Sequence, residues 1–62
     1  MIYVVRFVRK DGKATEEYYY PKIEQAEEHY SLFLDDDSGL YTKIELTDYN
    51  GTLIKEMVFS EV

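Results

Sequence analysis

The sequence predicts an α+β fold: a single compact domain, residues 1–62, in the order β-β-α-β-β, with a four-stranded antiparallel sheet and one helix packed on one face. Three observations carry this reading. Runs of β-branched and aromatic residues flank a glycine turn near each end of the chain. Between the two pairs lies the one stretch whose apolar residues recur at helical spacing. The 62 residues contain no linker or low-complexity tract and leave room for a single core.

The first strand is Ile2 to Arg9, rich in valine and aromatic residues that suit a pleated, half-buried surface. Lys10-Asp11-Gly12-Lys13 is a hairpin turn in which Gly12 supplies positive φ. A two-residue turn at Asp11-Gly12 sets Arg6 opposite Glu17, and a type I turn with a glycine bulge sets it opposite Glu16. Either register gives Arg6 a cross-strand carboxylate. The second strand runs from about Ala14 to Tyr20, where Pro21 forces extended backbone on the residue before it.

Pro21 suits the first helical turn, where no backbone N–H is needed. Ile23, Ala26, Tyr30, Phe33 and Leu34 then share one face, while Lys22, Glu24, Glu27, Glu28 and Ser31 lie largely on the others. A helix of roughly Lys22 to Asp35 follows, with Gly39 as the left-handed residue that closes the element.

Leu40 to Thr47 alternates as a third strand, with Leu40, Ile44 and Leu46 on one face and Tyr41, Lys43, Glu45 and Thr47 on the other. Asp48-Tyr49-Asn50-Gly51-Thr52 reads as a type I turn with Gly51 in the left-handed bulge position. That register pairs Leu46 with Ile54 and Glu45 with Lys55, and it sets Leu40, Ile44, Leu46, Ile54 and Val58 against the helix. A two-residue Asn50-Gly51 loop would instead oppose Glu45 and Glu56, two like charges. The fourth strand is Thr52 to about Phe59, and Ser60 to Val62 are expected to fray. A right-handed crossover between the hairpins gives strand order 2-1-3-4, with 2-1-4-3 as the alternative.

The charge is concentrated. Of a formal net −6, residues Glu16 to Asp37 carry −7, eight acids against the single base Lys22, and the remaining residues carry +1, five acids against six bases. An acidic body disfavours direct contact with nucleic acid, whose affinity rests on cations displacing counterions. It favours basic protein partners. Asp35, Asp36 and Asp37 follow the helix at its C-terminal end, where the macrodipole disfavours carboxylates by about 0.3–1 kcal/mol each. Local rules broken in this way concentrate at functional sites, although a turn-forming, solvated loop has the same composition.

Chemistry of other kinds is not spelled out. There is no cysteine, so neither disulfides nor thiolate metal sites are available. His29 is the single histidine and reads as a surface or boundary residue, with no serine–histidine–aspartate spacing around it. The acids of Asp35-Asp36-Asp37-Ser38-Gly39 do not fit a calcium loop, whose twelfth position would be Leu46. A one-helix domain has little volume for an enclosed pocket. No enzyme, cofactor or metal is therefore expected. Ile2 onward lacks the apolar run and cleavage site of a signal peptide, and no stretch is long enough to cross a membrane, so the expected location is the cytoplasm.

Two surfaces are the candidates. The acidic one comprises Glu24, Glu27, Glu28, Asp35, Asp36 and Asp37. Residues 24–37 would span about 20 Å as a helix, a length over which B-DNA carries roughly twelve charges, about twice the number of carboxylates here. The other is the sheet face away from the helix, where Tyr41, Leu53, Met57 and Phe59 are expected and would support a homodimer, through that face or an edge strand. In size, charge and architecture the chain resembles small phage-encoded inhibitors of host defence, such as anti-CRISPR and anti-restriction proteins. The resemblance spans the whole chain and is carried by no diagnostic motif. It implies a non-enzymatic protein that occupies a nucleic-acid-binding surface of its target, and the near-neutral sheet restricts such mimicry to one side.

Overall fold

The computed structural model describes residues 1–59; the expected fraying of Ser60 to Val62 lies outside them. Strands β1 (Tyr3–Arg9), β2 (Glu16–Tyr20), β3 (Tyr41–Asp48) and β4 (Leu53–Val58) form one antiparallel sheet in the order β2-β1-β3-β4, with helix α1 (Ile23–Ser31) between β2 and β3 in the chain. This is the expected β-β-α-β-β fold.

The first hairpin takes the register in which Arg6 faces Glu17. Its pairing stops at Phe7 and Glu16, so β2 is two residues shorter than expected. Side chains tie the loop instead. Arg9 holds Asp11 at 2.9 Å and Glu16 at 3.3 Å, and Asp11 Oδ1 accepts the Lys13 N–H at 3.0 Å. Gly12 has the φ of +78° that only glycine adopts without strain.

The helix is shorter than its apolar pattern. Lys22, not Pro21, borders it: the Lys22 backbone is extended (φ −126°, ψ 142°), and Pro21 precedes the helix. Beyond Ser31 the N–H groups of Phe33, Leu34 and Asp36 bond to the carbonyls three residues back, at 3.1–3.3 Å. This tighter winding seats Phe33 on Phe7, ring centres 4.8 Å apart, and leaves Leu34 60% exposed. The expected helix to Asp35 is thus corrected to one ending at Ser31.

The second hairpin turns as expected and then departs. Gly51 has φ +88°, its N–H bonds to the Asp48 carbonyl at 3.1 Å, and Asp48 Oδ1 accepts the Asn50 and Thr52 N–H groups at 2.9 and 3.0 Å. Thr47 faces Leu53 in the expected register, but a bulge follows. Beyond it Glu45 faces Glu56, Leu46 faces Lys55 and Ile44 faces Met57. One extra residue inverts the face of everything after it. A second irregularity, between Val8 and Arg9, aligns Arg9 with Tyr41.

The core lies between sheet and helix. Val5, Phe7, Ile44 and Leu46 from the two central strands meet Ala26 and Tyr30 from α1, with Tyr3, Tyr20, Phe33, Tyr41, Met57 and Phe59 packed around them. Ala26 is fully buried, which lets the helix axis approach the strands closely.

Candidate functional site

The sheet face away from the helix is a row of opposite charges rather than an apolar patch. Arg6, on the central strand β1, lies 3.1 Å from Glu17 on β2 and 3.3 Å from Glu45 on β3, and Lys43 reaches Glu45 at 3.5 Å. The buried Arg6 Nε is close to Glu17 Oε2 but is not aligned for a hydrogen bond. Tyr19 donates its hydroxyl to Glu17 Oε1 at 3.1 Å, and that carboxylate raises the tyrosine pKa above its ordinary value. Glu45 tolerates Glu56 across the strand pair because Arg6 and Lys43 already neutralise it.

Of the four residues expected on this face for self-association, only Leu53 borders it. Tyr41, Met57 and Phe59 pack against the core on the helix side. The β4 bulge exchanges the faces of that strand: Met57 turns inward opposite Ile44, while Val58, expected beneath the helix, is 63% exposed. The irregularity between Val8 and Arg9 does the same for Tyr41 on β3. Ile54 and Leu40, also expected beneath the helix, are exposed.

The helix side is different. Glu24 and Glu28 stand one turn apart on the ridge opposite Ala26, both exposed. Glu27 leans toward β4, where Lys55 Nζ meets its Oε2 at 2.8 Å, a contact that raises the lysine pKa. Asp35, Asp36 and Asp37 follow in the turn beyond the helix, where Ser38 donates to Asp36 at 2.8 Å. Among the described residues, Glu24, Glu28, Asp35, Asp36 and Asp37 have no base within ion-pair distance. Of the six predicted acids, Glu24, Glu27 and Glu28 lie on the helix and Asp35 to Asp37 in the turn beyond it, where Asp36 and Asp37 border Tyr41, Val58 and Phe59; they do not form one straight helix. Nine helical residues span about 13.5 Å. Among the described residues, no three histidine, aspartate or glutamate side chains gather where they could hold a metal ion.

His29 is a boundary residue, as expected, half-buried at the edge of the apolar stripe. The ring sits among aromatics, with centres 4.9 Å from Tyr18, 5.2 Å from Phe7 and 5.8 Å from Phe33, and its Nδ1 shares a 2.6 Å hydrogen bond with the Tyr20 hydroxyl. Burial lowers its pKa. The signal in the sequence is positional: His29 precedes Phe33 by one helical turn and borders the apolar stripe.

Among the described residues, no helix is long and apolar enough to cross a membrane. No protein-family model, no curated protein and no solved structure matches the chain.

Proposed function

We propose that the chain is a non-enzymatic binding module whose acidic helix side receives a basic protein surface. The supporting observation is the uneven neutralisation. The sheet acids Glu16, Glu17 and Glu45 each have an arginine or lysine in contact, whereas Glu24, Glu28 and Asp35 to Asp37 have none among the described residues. A surplus of carboxylates on one side steers a cationic partner and orients its approach. The target class that this pattern fits is a nucleic-acid-binding surface, occupied as a phage-type inhibitor would occupy it.

The test is capture from a cell lysate with the wild type and with Glu24→Lys/Glu28→Lys, followed by competition with duplex DNA. A basic protein should be retained by the wild type and released as salt shortens the screening length. The double variant should lose it, and the captured protein should bind DNA or this chain but not both. Retention that survives the double substitution would overturn the reading. Both glutamates are exposed, so the fold should be unaffected.

A further inference from the structure

The exposed sheet face carries a second feature, across the sheet from the acidic helix side and independent of it. Beside the Arg6–Glu17 pair lies an open hollow of about 460 Å³. Its floor is formed by Val4 and Thr47, 6% and 7% exposed. Its sides are Tyr19 and Tyr49, 56% and 68% exposed, with Leu53 beside them. We propose that this hollow is a binding site for a single cationic side chain, lysine or arginine, presented by a partner protein.

Charge, shape and the exclusion of other ligands support this assignment. Three carboxylates, Glu17, Glu45 and Asp48, line the hollow against one lining base, Arg6, with Lys43 reaching Glu45 from beside it, a surplus of one negative charge. Arg6 is already held between Glu17 and Glu45, so it offers little to an anion. Asp48 uses Oδ1 for the turn N–H groups, and among the described residues no hydrogen bond or ion pair engages its Oδ2. The Glu17 carboxylate that accepts the Tyr19 hydroxyl raises the tyrosine pKa, so this ring keeps its proton beside the hollow. Two tyrosine rings flank the opening, and aromatic faces attract ammonium and guanidinium groups. An aliphatic stem would lie against Val4 and Leu53 while its charged head reached the carboxylates, as long basic side chains do elsewhere. A purely apolar ligand would have to desolvate those carboxylates without compensation.

The test is a nitrogen-15 NMR titration of the chain with N-acetyl-lysine methylamide, with its neutral isostere N-acetyl-norleucine methylamide, and with N-acetyl-glutamate methylamide. The lysine probe should shift the amides of Thr47, Tyr49 and Gly51 in a saturable way, and the other two should not. Tyr49→Ala, at an exposed turn position, should weaken the lysine response about fivefold, and Tyr49→Phe should retain it. An absent lysine response, an equal response to norleucine, or one unchanged in Tyr49→Ala overturns the proposal. So do shifts confined to Glu24, Glu28 and Asp35 to Asp37, which would point to the helix side instead.

Discussion

Burial lowers the pKa of His29 below the ordinary 6.5, so the folded chain holds the ring neutral while the unfolded chain protonates it more readily. The unfolded state then binds more protons as pH falls through this range, and stability falls with it. The contribution is complete above pH 6.5 and is lost progressively below it. Between about pH 7.5 and about pH 5, the thermal midpoint of the wild type should drop further than that of His29→Leu. Equal drops would show that the aromatic surroundings impose no cost on the charged ring. The Tyr20 hydroxyl, 2.6 Å from Nδ1, is the partner whose hydrogen bond changes character when the ring gains its second proton.

The helix and the fourth strand show how an element's neighbours revise its local logic. Because the helix ends at Ser31, Asp35 lies four residues beyond it, and a macrodipole effect fades within the last turn. Asp35→Lys should therefore change stability by less than about 0.3 kcal/mol, measured by urea denaturation; a larger gain would mean that the helix extends in solution. Strand β4 is an exposed edge, the usual liability of an open sheet. Two copies related by a two-fold axis would pair antiparallel with like faces aligned, so the central residue meets itself. Centring on Lys55 opposes two lysines, and centring on Glu56 opposes two glutamates. In the second register Ile54 would otherwise meet Val58 of the other copy, both exposed and apolar. Glu56→Thr removes that repulsion, and sedimentation should show a dimer that the wild type does not form. A variant that stays monomeric at high concentration would refute edge protection by Glu56.

At the scale of the whole molecule, one helix on one sheet gives extents of 37 × 22 × 15 Å, a slab thin enough that few side chains are fully enclosed. The largest of these are Phe7, Ile44, Leu46 and Val5, all on the two central strands. Stability is correspondingly concentrated. Ile44→Ala should cost about 2–5 kcal/mol, a large part of the roughly 5–15 kcal/mol typical of whole domains, and should leave the chain largely unfolded at moderate urea. A loss under about 1 kcal/mol would mean that the core repacks around the gap. The same thinness sets two dissimilar faces close together, one in which Arg6 and Lys43 pair with Glu17 and Glu45, and one in which Glu24 and Glu28 have no base in contact among the described residues.

How much of this was legible depends on the range of the interaction involved. Element types, their order and the positive-φ glycines Gly12, Gly39 and Gly51 follow from local chemistry: β-branched runs, helical spacing and turns that tolerate only certain residues. The strand order rested on crossover handedness, with 2-1-4-3 left open until the pairing of β1 with β3 decided it. The segregation of negative charge is likewise a property of the chain itself. The faces of β4 were not legible, because a single bulge between Leu46 and Thr47 inverts side-chain parity and is specified by packing rather than by alternation. Met57 enters the core and Val58 leaves it for that reason. Nor could spacing show which carboxylates are bare. Glu27 and Glu28 are adjacent in sequence, yet only Glu27 points toward β4 and meets Lys55. The sequence alone thus determined the fold and the sign of the surface. The tertiary structure decided which residues face outward and which charges remain unpaired, because both depend on cross-strand register and helix rotation, which distant residues set together.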